Sequence, residues 1–208
     1  MKSLVALCVV LALFNKVFAG NILYINGVPS PSHHIYNRVL VLGLAAKGHN
    51  VTFISADIVT KPTPNVHYIH LDKTYEILFG GKDSLNVLDF AGQTPAEAVW
   101  ELPDYLGAVC AGNLASSGID TIVNYPKDFK FDLVIYDFTF GPCLIPLLTR
   151  FNYPPLVSIT GFANPPYTTA LVGGQKYPAY VPHYAVNHPN QMTFAERCFN
   201  TFLYFIIC

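Results

Sequence analysis

Charge is what this sequence has least of: Asp, Glu, Lys and Arg make up only 12% of it, and nowhere do the basic residues cluster. A nucleic-acid binder needs a dense basic surface to neutralise phosphates, so that class is excluded. An apolar run long enough to cross a bilayer is also missing, since the stretch Leu4 to Phe14 is about half of the roughly 20 residues a helical span requires. No G-x-G-x-x-G and no P-loop occurs, so no glycine-rich loop offers itself to a nucleotide phosphate. No Gly-x-Ser-x-Gly elbow occurs either, which removes the α/β-hydrolase nucleophile. Cysteine is sparse and stands at no metal-ligand spacing.

What is present begins with a targeting pattern. Lys2 precedes the apolar stretch, and Val17-Phe18-Ala19 supplies small residues at positions 17 and 19 just before Gly20. Residues 1–19 read as a secretory signal peptide cleaved after Ala19; the alternatives are a retained anchor or a buried core helix. Cleavage removes Lys2 and Lys16, leaving ten basic residues against thirteen acidic, a net charge near −3. The remaining 189 residues, 20–208, suit one domain. A hydrophobic content of 52% is high for such a domain, so some apolar surface is expected to meet a ligand, another domain or a membrane. Cys8 leaves with the signal. Cys110, Cys143, Cys198 and Cys208 allow three connectivities and the spacing selects none, so buried free thiols are the default expectation.

Strand and helix signals alternate. A strand Asn21–Asn26 is followed by the turn-rich loop Gly27 to Ser32, then by a helix with Ser32 as N-cap and Ile35, Val39, Leu42 and Ala46 at helical spacing. Gly48 stands where a left-handed C-terminal residue is wanted, and a second strand runs from Val51 to Ser55. Further strands are predicted at Val66–Leu71, Asp132–Tyr136 and Leu156–Thr160, with helices at about Pro95 to Ser116 and Leu144 to Phe151. The pattern implies an α/β, Rossmann-like, doubly wound parallel sheet. With the usual strand order 3-2-1-4-5, the first and fourth strands are neighbours at the switch point, where ligands bind beyond the carboxyl ends. Asn164 to Pro189 reads as an ordered, irregular, proline-rich excursion. Thr193 and Glu196 then form a capping box opening a helix to about Ile207, whose apolar residues Phe199, Phe202, Leu203 and Ile206 should not face water freely.

This topology brings His33, His34 and Asp137 to the ligand edge. The positive end of a helix keeps a histidine neutral and able to accept a proton, and a nearby carboxylate stabilises the imidazolium that results. The alternative is that both histidines merely satisfy helix-end groups. The run Ser-Pro-Ser-His-His-Ile-Tyr-Asn-Arg from Ser30 to Arg38, closing in Lys-Gly-His-Asn-Val-Thr from Lys47, resembles the N-terminal signature of the UDP-glucuronosyltransferase and UDP-glucosyltransferase family, in its invertebrate branch. Phe131-Asp-Leu-Val-Ile-Tyr-Asp137 and Met192-Thr-Phe-Ala-Glu-Arg197 resemble two further motifs, so the likeness spans residues 21–208.

The resemblance implies the N-terminal, acceptor-binding half of a two-domain GT-B glycosyltransferase. In that family the histidine sixteen positions before the Gly-His pair deprotonates the acceptor hydroxyl, and the aspartate after the fourth strand pairs with it; counting back from His49 selects His33 and Asp137 as catalytic. His34 stands where vertebrate relatives carry an aromatic residue and receives no role. Members run to more than twice this length, with a second domain that binds the UDP-sugar, a membrane helix and a short cytosolic tail, so the chain is expected to be a fragment or truncated form, inactive alone. The implied partners are a small lipophilic acceptor, a UDP-sugar co-substrate held by the other domain, and a membrane; no cofactor, metal or nucleic acid is implied. The expected location is the endoplasmic reticulum lumen, or secretion. A second function class is a luminal or secreted module that binds lipophilic small molecules or regulates full-length relatives.

Weaker signals read structurally. His67 and His70 stand three apart in a strand, on opposite faces, and cannot chelate one ion. Tyr75, Phe79, Phe90, Trp100 and Tyr105 suit either an acceptor pocket or core packing. Asn50-Val51-Thr52 is a glycosylation sequon, but it opens a strand expected to be buried and is therefore expected to go unused.

Overall fold

The computed structural model describes residues 19–57, 59–81, 92–161, 166–171, 173–183 and 186–206. The signal segment 1–18, Phe90 and Cys208 lie outside these. Five parallel strands, β1 (Asn21–Asn26), β2 (Asn50–Ser55), β3 (Val66–His70), β4 (Leu133–Asp137) and β5 (Leu156–Ile159), form one sheet in the order β3-β2-β1-β4-β5. The helices are α1 (Pro31–Ala46), α2 (Thr74–Phe79), α3 (Pro95–Leu114), α4 (Ser117–Val123), α5 (Pro166–Leu171) and α6 (Phe194–Ile206). The chain is thus α/β, doubly wound and Rossmann-like, as its alternating pattern predicts. The central strand β1 is buried from Ile22 to Asn26 because helices cover both sheet faces, which is why its sequence is a near-continuous apolar run rather than an alternating one.

Two apolar clusters result. On one face Ile22, Tyr24, Val51 and Phe53 meet Val41 and Ala45 of α1; on the other Leu23, Ile25, Ile54, Val134 and Tyr136 meet Ile122, Leu148 and Phe151. Each such side chain withdrawn from water stabilises the fold by roughly 1.5–3 kcal/mol before entropy is subtracted. At the turn before β2, Gly48 takes φ +92°, the left-handed value its position predicts.

Four local expectations change. Helix α1 begins at Pro31, with Ser30 rather than Ser32 at the N-cap, because a proline fits the first turn, where its missing N–H has no intrahelical role. Its inward residues are His33, Asn37, Val41 and Ala45 rather than the stripe from Ile35; Ile35 and Val39 remain 65% and 64% exposed. The segment Ile145–Phe151 is a 3-10 helix, with Pro146 in its first turn. Cys110 of α3 and Cys143 form a disulfide, and Cys198 is a free thiol but exposed, so the expectation of buried free thiols fails.

The C-terminal helix behaves as its capping box predicts. Glu196 Oε2 accepts from Thr193 N (2.6 Å) while Thr193 Oγ1 accepts from Glu196 N (3.4 Å). Leu203 is buried, but Phe194, Phe199, Phe202 and Phe205 stand exposed along the rest of the helix. Asn200 ties α6 to the proline-rich excursion: its Oδ1 accepts from His183 N (2.6 Å), and its Nδ2 donates to Pro178 O (2.7 Å) and Val181 O (2.8 Å). One wholly buried amide thereby serves three backbone groups that no helix or sheet satisfies.

Replacing Asn200 by Ala strands those groups and is expected to cost about 3 kcal/mol, read as a lower denaturation midpoint with an unchanged slope. The disulfide closes a loop of 33 residues, so Cys110→Ser with Cys143→Ser is expected to lose roughly 3–4 kcal/mol in the same measurement. Intact mass with thiol alkylation checks the pairing: Cys110 and Cys143 should label only after reduction, and Cys198 before it.

Candidate active site

The ligand edge is organised around one carboxylate. Asp137 is the last residue of β4, 2% exposed, and its side chain also opens the short 3-10 turn Phe138–Phe140 by accepting from Thr139 N (3.1 Å) and Thr139 Oγ1 (2.6 Å) on Oδ1. The other oxygen, Oδ2, faces α1. There His33 Nδ1 lies at 2.9 Å, Asn37 Nδ2 donates at 2.8 Å, and the Tyr36 hydroxyl donates as well. A carboxylate only accepts, so Nδ1 of His33 carries the proton and the basic lone pair resides on Nε2. The hydroxyl oxygen of Tyr36 stands 3.0 Å from the same Nδ1 and shares its proton.

These donors are themselves held. Asn37 Oδ1 accepts from Tyr24 OH (2.8 Å), and its Nδ2 also reaches His33 O (2.8 Å) one helical turn back. Thr139 Oγ1 meets Thr160 Oγ1 at 3.2 Å, linking β4 to the end of β5. Burial alone pushes the Asp137 carboxyl up, but the bonds from His33, Thr139, Tyr36 and Asn37 outweigh it and hold the group below the ordinary carboxylate value. Burial and the hydrogen bond to Asp137 push the Tyr36 phenol upward, keeping it a neutral donor.

His33 and Asp137 are therefore brought together as the sequence predicts, with the His33 ring on the carboxylate while Asp137 also caps the 3-10 turn that follows it. His34 goes elsewhere: its Nδ1 lies 3.1 Å from Ser55 Oγ and its ring stacks on Phe53 at 5.8 Å. Sequence reasoning missed Tyr36, Asn37 and Thr139. The signals were there, since Asn37 follows His33 by one helical turn and Asp-x-Thr is a spacing at which an aspartate bonds its own following residues. It also missed Asp57, a second buried carboxylate at the end of β2 that accepts from Tyr75 OH (3.1 Å).

A row of aromatic rings leads away from the pair. Phe140 lies 6.3 Å from His33 at 26°, Tyr105 5.1 Å from Phe140, Phe79 6.3 Å from Tyr105, and Tyr75 6.2 Å from Phe79. Burial pushes the Tyr105 phenol up to about 12. Trp100 takes no part and is 73% exposed. Cys143, six residues after Asp137, is joined to α3, so the disulfide ties the helix bearing Tyr105 to the segment that follows Asp137. A cavity of about 200 Å³ lies at the same edge against Ser55, Asp57 and His70. A larger one, about 560 Å³, opens at the opposite edge of the sheet, beside Asn50 and Tyr125. The larger cavity lies at the edge away from the buried His33–Asp137 pair, and neither cavity is lined by that pair.

Among the described residues no group of three His, Cys, Asp or Glu is placed to hold a metal ion. His67 is exposed beside Tyr125, and His70 Nε2 meets Ala56 O at 3.0 Å. No single helix among the described residues is long and apolar enough to cross a membrane.

The Asp137 carboxylate sets a pH limit. Its folded pKa lies below the unfolded value of about 3.9, so its stabilisation is complete well above that pH and is lost as pH falls through the folded value. In denaturation series from pH 6 to pH 2, the stability gap between the wild type and Asp137→Asn is expected to be constant down to about pH 5 and to shrink below about pH 4. A gap that widens on acidification would contradict the arrangement.

Comparison with known proteins finds a relative over nearly the whole chain. Over 216 aligned residues the chain is 26% identical to UDP-glucosyltransferase 2 of Dactylopius coccus, an alignment that covers 95% of the chain and 38% of that protein. The chain thus spans well under half the length of the curated relative it matches, and the likeness supports kinship with UDP-glycosyltransferases in general. No protein-family profile matches the chain, and no solved structure does.

Proposed function

We propose that the chain is the N-terminal, acceptor-binding half of a UDP-glycosyltransferase that moves a glucuronosyl or hexosyl group from a UDP-sugar to the hydroxyl of a small lipophilic acceptor. The observation that carries this reading is the buried His33–Asp137 pair, with Nδ1 of the ring on the carboxylate. In the proposed reaction Nε2 of His33 takes the proton of the acceptor hydroxyl as its oxygen attacks the anomeric carbon. The bond from that carbon to the UDP oxygen breaks, and UDP leaves with the electron pair. Asp137 stays ionised throughout, balancing the imidazolium and fixing the ring.

The half-buried rings of Phe140 and Tyr105 beside the pair support a flat, lipophilic acceptor there, since such rings offer apolar area with few hydrogen bonds to satisfy, while Tyr75 and Phe79 at the far end of the row belong to the core. The donor is assigned to the additional length that the relative has and this chain does not match, and the sequence agrees in carrying no phosphate-binding glycine motif. The signal pattern and the disulfide support a luminal or secreted location, where thiols pair, and the exposed phenylalanines of α6 support contact with a membrane.

The test joins this chain to the donor-binding half of a close relative. His33→Ala is expected to reduce turnover by roughly 10²- to 10⁴-fold with little change in acceptor affinity, and Asp137→Asn by a comparable factor. His34→Ala should cost far less, because its ring bonds Ser55 rather than Asp137. The double variant His33→Ala/Asp137→Asn should be little worse than either single one, as for residues acting as a unit. Near-normal turnover of His33→Ala with an alcohol acceptor would overturn the assignment.

A further inference from the structure

We propose that Asn50 is an N-glycosylation site, its glycan projecting from the edge of the sheet opposite the candidate active site; the proposal rests on the luminal location proposed above. Asn50-Val51-Thr52 is the one Asn-x-Ser/Thr triplet in the sequence. The strand is buried as expected, but the asparagine that opens it is not. Asn50 is the first residue of β2 and is exposed, while Val51 and Thr52 behind it are buried.

That division between asparagine and threonine determines when the modification happens. In the folded chain Thr52 Oγ1 lies 3.3 Å from Tyr125 OH, and the backbone of the triplet is engaged, Asn50 N donating to Gly20 O (2.9 Å) and Val51 N to Asn65 O (2.8 Å). A transferase that must grip all three residues therefore acts on the nascent chain, before β2 joins the sheet. The donor is a lipid-diphosphate-linked oligosaccharide. Asn50 Nδ2 forms a bond to its anomeric carbon as the carbon–oxygen bond to the diphosphate breaks, the lipid diphosphate leaving with the electron pair and one amide proton passing to a base.

The folded protein then has only to tolerate the product, and its geometry does so. Nδ2 carries two hydrogens and makes one bond, to Asn21 Oδ1 at 3.3 Å, so losing a hydrogen to the sugar leaves that bond available. Beside it opens the cavity of about 560 Å³, walled by Tyr125, Phe129 and Val66, which gives the first sugar space and an apolar surface for its C–H face. Because Asn50 starts β2 and Ser55 ends it, the glycan points away from the edge that holds His33 and Asp137.

The experiment expresses the full chain, followed by a flexible tail carrying a second Asn-x-Thr triplet, in a eukaryotic secretory cell. Glycosidase treatment and peptide mass spectrometry then read each site. Modification of both asparagines is expected, with Asn50→Gln and Thr52→Ala each losing one glycan's mobility shift and Thr52→Ser keeping it. A modified tail with an unmodified Asn50 overturns the proposal in a chain shown to be luminal. If neither site is modified, the luminal location fails, and the proposal fails with it.

Discussion

A carboxylate cannot be withdrawn from water without partners, and the burial of Asp137 imposes that condition on the elements around it. It stands at the end of β4, beneath the first turns of α1. Oδ1 is satisfied locally by Thr139, but Oδ2 faces the helix and needs donors from it. His33, Tyr36 and Asn37 supply them. To do so α1 must turn a partly polar stripe toward the sheet, and Ile35, Val39 and Leu40 are left facing outward. The helix thus gives up the burial of three good apolar side chains, each worth roughly 1.5–3 kcal/mol, to satisfy one charge. A rotation that buried Ile35 and Val39 instead would strip Oδ2 of its donors, and an unpaired buried charge costs more than the apolar area returns.

The same condition prepares the proposed chemistry. A carboxylate satisfied by five donors stays ionised, and an ionised acceptor fixes both the tautomer and the orientation of the imidazole on it. No residue of the pair depends on a flexible loop for its position. His33 is set by a helix packed on β1 and β2, Asp137 by a central strand of a parallel sheet, and the segment after it is tied to α3 by the Cys110–Cys143 disulfide. Pre-organisation of this kind suits the base role proposed for His33, which would need no rearrangement first. Side-chain character is also divided between the two ends of the sheet. Polar and aromatic groups gather beyond the carboxyl ends of the strands, while the exposed asparagine and the larger cavity lie at the amino ends.

The sequence alone determined the alternation of strands and helices, the left-handed turn at Gly48 and the capping box of α6. All of these rest on short-range signals: runs of β-branched and aromatic residues and turn or capping residues at set distances. The strand order followed from the usual arrangement of such folds, and the choice of His33 with Asp137 from the family resemblance. Only the tertiary structure decided the rest. Periodicity placed Ile35 and Val39 in the core because it weighs hydrophobicity alone, whereas the helix phase was set by a charge a hundred residues away. The Cys110–Cys143 pairing depends on where α3 lies over the loop after β4, which no spacing encodes. The glycosylation triplet was set aside because it opens a buried strand, yet Asn50 itself is exposed, and which residues at a strand's end face water depends on what the other elements leave uncovered.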